Sequence, residues 1–449
     1  MSTDNTKTGG LRGLYQKEDW WAVWIGLGTV IIALVMWTFG QSLSPITVSF
    51  KGYENFSDLP GILPGLFPGV LFLFLVMLIV FSIAAGVMGR SVLKFVAGFT
   101  LLFVLAIIVQ ILGAWSWAKT LNIEAPVMAL IIGLVIGNLL KIPAWFDAAM
   151  RTEFYVKTGI VFMGATLPFT LILQAGPITL LQASAVAVVT FLVIYWVGTR
   201  ILKIEKPFAA TLGAGGSICG VSASIAIGSS VNAKKSHVST SISIVVIWAT
   251  VMVFLLPIFA RAIGLSDGAA GALIGTSEFA DAAGVAAAGQ FGDGALTTFT
   301  LMKVVGRDIF VGIWALILAF ISVTIWERHK ANKSDGSVQK PSASVIWERF
   351  PKFVIGFFIA SILISLVVLL APDSSTLDKV VLAPIKNLRN WAFVLCFLCI
   401  GLTTRFRDLA EFGWKPFAAF SAGVVVNVGL GILFSVFLLN GYWTQIGLS

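Results

Sequence analysis

The amino-acid sequence predicts an all-α polytopic membrane protein of about 11–13 helices, with inverted-topology repeats and two broken or re-entrant segments. Three observations predict this fold class. Of the 449 residues, 58% are hydrophobic and only 11% are charged, whereas a soluble domain carries charge on about a quarter of its residues. A stretch rich in glycine and hydroxyl residues, Gly213–Ser224, interrupts the apolar runs. A short pattern also recurs in two helices that are predicted to run in opposite directions.

The amino-terminal part contains a polar segment followed by three apolar runs. We expect residues 1–19 to form a cytoplasmic segment. Residues 20–120 are predicted to add transmembrane helices near 20–40, 64–88 and 93–117. Because the first run lacks a small-residue cleavage site, we interpret it as a retained helix rather than a signal peptide.

The rest of the chain predicts the transport region in four divisions. These are a first transport repeat at 121–260, a second broken segment with its following helix at 261–330, a cytoplasmic linker at 331–350, and the remainder of the second repeat at 351–449. The apolar runs within them lie near 126–140, 158–174, 178–200, 208–230, 238–260, 269–290, 298–326, 353–371, 388–404 and 416–440. The broken segments are 208–230 and 269–290.

Basic residues in short loops set the predicted orientation. Most of them fall on one side if the amino terminus is cytoplasmic and the carboxyl terminus is outside, so the net charge of +9 does not indicate a nucleic-acid partner. Lys234, Lys235 and His237 break the pattern if 208–230 spans the membrane fully. They rejoin it if 208–230 and 269–290 are both re-entrant, and the sequence leaves both topologies open.

The first broken segment supplies candidate substrate-binding residues. Amides at the start of a half-helix carry partial positive charge, and hydroxyl groups beside them can donate to an oxyanion. The alternative is that small residues here only allow close helix packing. The candidates in this segment are Gly216, Ser217, Cys219, Gly220, Ser222 and Ser224.

Charged residues in and after the second broken segment are candidates for coupling or gating. Glu278 and Asp281 are three residues apart and share a helix face, unless both are simply solvated. Lys303 and Arg307 share a face four residues apart, and Asp308 follows. Arg307 is the preferred anion ligand because a guanidinium binds oxyanions bidentately. For Lys303, snorkelling to the membrane surface is the alternative.

The recurring pattern predicts the inverted repeat. Gly164–Phe169 and Gly401–Phe406 match at a constant offset that also pairs Gly176 with Gly413. The loop charges give the two copies opposite directions, as in inverted-topology transporters. Chance similarity between two glycine-containing helices is the alternative. On the repeat interpretation, Thr403 lines the substrate site.

The sequence gives no indication of an enzyme, a metal site or a cofactor. Cys219, Cys396 and Cys399 all lie in apolar segments, which argues against a disulfide framework or a zinc site. His237 and His329 lie in polar turns, so neither supports a buried Ser–His pair or a metal centre.

Three blocks resemble the YeiH-like sulfate exporter family of bacterial inner-membrane proteins. They are Gly215–Ala223, Gly275–Gly289 with Thr300–Arg307, and Gly401–Thr404 with Gly413–Pro416. The resemblance covers residues 125–440 and implies a fold similar to that of bile-acid symporters and sodium/proton antiporters. Family members have a His–acid pair where this chain has Ala280 and Asp281, which argues against a mechanism that relies on that histidine.

We therefore expect a secondary active transporter of a small inorganic or organic anion, first of all sulfate or a related sulfur oxyanion, that works by alternating access. The alternative is a monovalent cation/proton antiporter that uses Glu278 and Asp281. The expected surroundings are the lipid bilayer of a bacterial inner membrane. Protons and sodium both remain candidates for the coupling ion, and a homodimer stays open.

Overall fold

The computed structural model describes residues 13–50, 52–120, 125–322, 347, 350–371, 376–404 and 413–448. Residues 1–12, most of the predicted linker 331–350, and His329 lie outside the described residues. Within the described ranges, the regular structure is helical and includes no strand, which confirms the predicted all-α class.

The helices are numbered in chain order. The first seven are α1 Gly13–Gln16, α2 Glu18–Thr38, α3 Leu59–Val87, α4 Val92–Ala114, α5 Ser116–Thr120, α6 Ala125–Leu139 and α7 Thr152–Thr166. The next eight are α8 Phe169–Trp196, α9 Lys206–Ser217, α10 Val221–Ser230, α11 Lys235–Ala262, α12 Asp267–Ser277, α13 Asp281–Gly289, α14 Asp293–Thr300 and α15 Val311–Ile321. The last four are α16 Lys352–Leu370, α17 Ala383–Thr403, α18 Trp414–Ile432 and α19 Asn440–Leu448.

Eight helical segments in the described part of the chain are long and apolar enough to cross a bilayer. An α-helix suits this environment because it satisfies its backbone hydrogen bonds internally, which hydrocarbon requires. The chain is therefore a multi-pass membrane protein. The segments are Glu18–Thr38, Phe56–Val87, Val92–Ala114, Phe169–Ile201, Lys235–Ala262, Lys352–Leu370, Asp378–Thr403 and Trp414–Leu438.

The chain divides into two compact units, each built from parts that are distant in sequence. Unit 1 comprises Met1–Phe169 and Lys352–Thr403. Unit 2 comprises Thr170–Pro351 and Thr404–Ser449. The divisions predicted from the sequence are consecutive along the chain, so each unit combines parts of several of them.

The two copies of the recurring pattern involve α7 and α17, which are antiparallel neighbours in unit 1. The backbone of Arg151, just before α7, lies next to Cys399, near the end of α17. Farther along α7, a Cβ on Gly159 would clash with the ring of Phe393, which comes earlier in α17. These two pairs agree with the opposite directions predicted for the two copies.

The predicted boundary between helices 158–174 and 178–200 is wrong. The chain turns at Leu167 and Pro168, so Pro177 lies inside α8. Ser361 Oγ of α16 donates to the carbonyl oxygen of Leu167 at 2.5 Å, and Ser365 Oγ accepts from the N–H of residue 169 at 2.9 Å. Either proline could end a helix, and the contacts with α16 hold the turn at the first of them.

α9 and α10 form a re-entrant hairpin, which we call the first hairpin (206–230). Its arms lie side by side, because a Cβ on Gly228 would lie 3.3 Å from the side chain of Thr211. At its base, Lys234 Nζ donates to Glu205 Oε1 at 2.7 Å. A continuous helix would hold these two residues, 29 positions apart, about 44 Å from each other. The re-entrant alternative is therefore the correct one for this segment.

α12 and α13 form the second hairpin (267–289), which starts from the opposite end of α11. After α13, the Gln290 carbonyl accepts from Arg261 Nη2 at 3.0 Å, and Gln290 Nε2 donates to Val253 O at 3.4 Å. Arg261 and Val253 belong to the last turns of α11, so α13 returns to the level at which α12 begins. With both segments re-entrant, Lys234, Lys235 and His237 no longer break the charge pattern from which the orientation is predicted.

The prediction of one continuous helix at 298–326 is wrong. α14 continues into a π-helical turn, Leu301–Val305, and the helix breaks at Gly306 and Arg307 before α15. α14 runs parallel to α12, because a Cβ on Gly271 would contact Ala295 and one on Gly275 would contact Phe299. This α14–α15 break therefore lies level with the tip of the second hairpin.

Candidate functional site

The tips of the two hairpins touch each other inside unit 2. Gly220, at the tip of the first hairpin, has a φ of +69°, and a Cβ there would clash with the carbonyl oxygen of Phe279 at the tip of the second. Glycine tolerates both this backbone conformation and this close approach. The glycine-rich stretch predicted a break in the helix. Nothing in the sequence indicated that this break contacts Phe279.

Two basic residues at the α14–α15 break reach the hairpin tips. The exposed fractions of Lys303 and Arg307 are 0% and 3%. Both also contact the tips directly, so the snorkelling alternative for Lys303 is wrong. A π-helical turn adds a residue to the helix and changes the direction of the side chains after it, which is a frequent device at functional sites.

Arg307 holds the carboxyl-terminal ends of α9 and α12 together. Its Nε donates to the Ser217 carbonyl at 3.1 Å, and its Nη1 lies 3.2, 2.9 and 3.3 Å from the carbonyl oxygens of Gly275, Thr276 and Glu278. The last carbonyls of a helix lack intrahelical partners and carry partial negative charge. The guanidinium therefore satisfies and neutralises two helix ends at once.

Lys303 connects the same two hairpin tips. Its Nζ donates to the carbonyl oxygens of Ile218 at 3.3 Å and Glu278 at 2.9 Å, and lies 3.6 Å from Asp281 Oδ1. The ammonium thus contacts one oxygen from the first hairpin and two from the second. Among the acids of the second hairpin, Asp281 is therefore the ion-pair partner of Lys303.

The carboxylate of Glu278 accepts hydrogen bonds from backbone N–H groups of its own hairpin tip. Its Oε1 accepts from the N–H groups of Phe279 at 2.9 Å and Ala280 at 3.3 Å. The side chain is fully buried, and its Oε2 has no hydrogen-bond partner among the described residues. The prediction that Glu278 and Asp281 act as a pair on one helix face is wrong, because the chain is not helical between them.

Asp308 completes the charged cluster. It is fully buried and interacts electrostatically with both Lys303 and Arg307. Together with Glu278 and Asp281 it gives three carboxyl groups around two bases. The cluster carries no net positive charge when all five are ionised.

Three of the predicted residues of the first hairpin lie close to the tip. Ser217 ends α9, and its hydroxyl group is buried with no partner in the part of the chain that the structure describes. Cys219 is buried at the tip, close to both bases. Ser222 lies half-buried in the first turn of α10.

Other predicted residues have packing contacts instead. Ser224 Oγ shares a hydrogen bond of 2.9 Å with Ser241 Oγ, which fixes α10 against α11. A Cβ on Gly216 would lie 2.5 Å from the side chain of Ile194, so this glycine allows close packing against α8. Thr403 belongs to unit 1, and its hydroxyl donates to the Cys399 carbonyl of its own helix at 2.7 Å.

A cavity of about 200 Å³ lies beside the first hairpin tip in unit 2. By this measure a single water molecule needs about 10–15 Å³, so the cavity can hold a small anion with some of its water. The residues that line it are Ser184, Ala187, Val188, Ile218, Gly306, Arg307, Phe310, Ile313 and Trp314. Arg307 is the one charged residue among them, and its Nη2 has no hydrogen-bond partner within the described ranges.

Sequence reasoning missed a polar network behind the second hairpin. Gln182 Nε2 donates to Thr276 Oγ1 at 3.0 Å and to Ser435 Oγ at 2.8 Å, while Trp443 Nε1 donates to Gln182 Oε1 at 2.9 Å. The network ties α12 to α8, to the turn after α18, and to α19. A glutamine inside an apolar helix was the available signal, since buried polar side chains in membranes need partners.

The described residues include no group of three or more His, Cys, Asp or Glu side chains placed to hold a metal ion.

Comparisons with known proteins identify similar chains. A family model described as conserved hypothetical protein 698 matches residues 97–420. A UPF0324 membrane protein from Rhodopirellula baltica is 33% identical over 356 residues, covering 78% of this chain and 64% of the relative. One from Nitratidesulfovibrio vulgaris is 34% identical, covering 76% and 59%.

A UPF0324 membrane protein from Nitrosomonas europaea is 30% identical over 475 residues and matches along nearly the full length of both chains, 94% and 95%. The chain spans about three fifths of the length of the first two relatives. No solved structure matches the chain. The family match and these relatives confirm the resemblance found in the glycine-rich blocks.

Proposed function

Because the chain belongs to the YeiH-like family of conserved hypothetical protein 698, we propose that it is a secondary active transporter of a small anion. Sulfate or a related sulfur oxyanion is the first candidate, and the mechanism is alternating access in a bacterial inner membrane. The observation that carries the proposal is a buried arginine that holds both hairpin tips and also lines a cavity.

Arg307 binds the anion through the part of its guanidinium that the protein leaves unused. Nε and Nη1 already donate to backbone carbonyls, so the expected bidentate use of the whole guanidinium does not apply. Nη2 remains, with two hydrogens. Its position is fixed by the other bonds, and an anion that reaches it gains a strong charge-assisted hydrogen bond.

The start of α10, three residues after the cavity-lining Ile218, offers further donors near the cavity. The first N–H groups of a helix have no acceptor within the helix, and they attract anions. Ser222 lies in this first turn and adds a hydroxyl group. At the second hairpin, by contrast, Glu278 already accepts from the N–H groups at the tip. The anion therefore binds on the side of the first hairpin.

Charge balance assigns roles to the acids. The cluster has no net positive charge when ionised, so an arriving anion needs compensation, and a proton on a carboxyl group supplies it. Glu278 suits this role because its Oε2 is buried and has no partner in the described part of the chain. Lys303, which contacts both tips, forms an ion pair with Asp281 that acts as the gate.

The test is electrogenic uptake by purified protein in liposomes, with sulfate, sulfite, thiosulfate, taurine and chloride, with and without a pH gradient. We expect saturable currents with sulfur oxyanions that disappear in Arg307→Ala and fall at least tenfold in Arg307→Lys. Arg261→Ala is the matched control, because this arginine of unit 2 contacts Gln290 away from the tips. Unchanged currents in both folded Arg307 variants would overturn the proposal.

The cation/proton antiporter is the second candidate, and the carbonyl and carboxylate oxygens around Lys303 favour it. The same liposomes decide between the two. Sodium- or potassium-dependent proton movement that is lost in Asp281→Asn, together with no response to any anion, supports the antiporter.

A further inference from the structure

We infer that the ammonium group of Lys303 is a built-in replacement for a sodium ion between the hairpin tips, so that this site needs no metal cation. This inference rests on the proposed function only where transport is measured. It concerns the ion that holds the two tips together, whichever substrate they serve.

The first argument is the set of atoms around the ammonium. Nζ lies 3.3 Å from Ile218 O, 2.9 Å from Glu278 O and 3.6 Å from Asp281 Oδ1. Two of these are carbonyls at the ends of half-helices, and the third is a carboxylate. Unwound carbonyls and half-helix ends of this kind coordinate sodium in transporters with broken helices, and hard cations prefer oxygen ligands.

The second argument is burial. Lys303 is 0% exposed, and a charged lysine inside a membrane is costly unless its partners compensate. If the tips required only close packing, an apolar side chain at position 303 would serve, without the cost of a buried charge. An ammonium is a compact single positive charge on a flexible stem. It delivers the charge of a sodium ion to the oxygens of both hairpins.

The third argument is the tether. Lys303 belongs to the π-helical turn at the α14–α15 break, so its charge is covalently attached to a helix that already packs beside α12. A free ion would leave when the tips separate, and its gradient could drive transport. A tethered ammonium cannot leave, so coupling passes to another group, and Glu278 is the carboxyl group available for it.

The experiment compares salts on the purified full-length protein. The melting temperature is measured in NaCl, LiCl, KCl and choline chloride at equal ionic strength, for the wild type, Lys303→Ser and Lys303→Met. The serine variant removes the ammonium and leaves space beside the three oxygens. The methionine variant also removes the charge but keeps most of the stem, so it is the matched control.

We expect the wild type to melt at the same temperature in all four salts. Lys303→Ser should melt about 3 °C higher in sodium or lithium than in choline, because a ligand that binds only the folded state stabilises it. Lys303→Met should be destabilised equally in every salt. A purely structural ion pair predicts no salt specificity in the serine variant, so a folded Lys303→Ser that melts identically in all salts overturns the inference.

If Lys303→Ser cannot be purified in any salt, anion uptake by the wild type tests the inference instead. Equal initial rates of anion uptake in sodium and in choline support the replacement, and a tenfold loss in choline overturns it. If no anion is transported at all, the proposed function fails. The melting temperature of the wild type then decides, and a dependence on sodium contradicts the built-in cation.

Discussion

The two hairpin tips are built alike but end in different chemistry. Each is a pair of half-helices, and in each the carboxyl-terminal end of the first arm is capped by Arg307. The first tip, around Gly220, is made of small residues and contains no acid. The second tip carries Glu278, which satisfies its own N–H groups, and Asp281, which holds Lys303. On the proposed function, the first tip attracts the anion and the second supplies the compensating charge.

The largest expected effect tests whether the tips must touch. Gly220→Ala adds a Cβ against the carbonyl of Phe279 in a backbone conformation with positive φ. We expect a loss of roughly 2–4 kcal/mol in the free energy of unfolding. Chemical unfolding in detergent micelles measures it. Gly289→Ala is the control, because a Cβ there meets open space. Equal stability of the two variants would mean that the tips can separate freely.

The second prediction concerns the acid of the second tip. Glu278→Gln keeps an oxygen that can accept from Phe279 and Ala280 but removes the group that can gain or lose a proton. We expect a folded protein whose anion uptake no longer responds to a pH gradient, with a drop of about tenfold in the driven rate. Glu205→Gln, at the base of the first hairpin, should keep the wild-type response. A normal pH response in Glu278→Gln would remove the second tip from coupling.

A smaller effect separates two serines of α10. Ser222 lies half-buried in the first turn, whereas Ser224 is bonded to Ser241. Ser222→Ala should raise the KM for the anion a few-fold without changing the melting temperature. Ser224→Ala should leave KM unchanged and cost about 1 kcal/mol of stability. The reverse result would place the anion deeper in the first hairpin.

The smallest effect concerns the residue that the repeat interpretation assigned to the substrate site. Thr403 donates to a carbonyl of its own helix in unit 1. Thr403→Val should therefore change stability by less than about 0.5 kcal/mol and leave anion uptake unchanged. A clear fall in uptake rate, measured in the same liposomes, would restore Thr403 to the substrate path.

Sequence reasoning identified most residues of the candidate site but not the contacts that they make. Glycine and serine marked the first break because such residues are rare inside membrane helices without a packing or binding reason. Charged residues at 278, 281, 303, 307 and 308 were noticeable because charge is costly in lipid. The contacts of Arg307 with backbone carbonyls could not be predicted, because every residue has a backbone carbonyl and the side-chain pattern does not distinguish one from another. The α14–α15 break was hidden because residues 298–326 taken together are long and apolar enough to predict one continuous span.

The sequence by itself determined the all-α membrane class, most of the spans and the two broken segments, because hydrocarbon imposes strict rules on apolar length and backbone satisfaction. Only the tertiary structure decided that the broken segments are hairpins that meet at Gly220 and Phe279. It also decided that Lys303 and Arg307 bridge them. The physical reason is that burial is specified locally by composition, whereas the partner of a buried charge or carbonyl depends on which distant segment folds beside it.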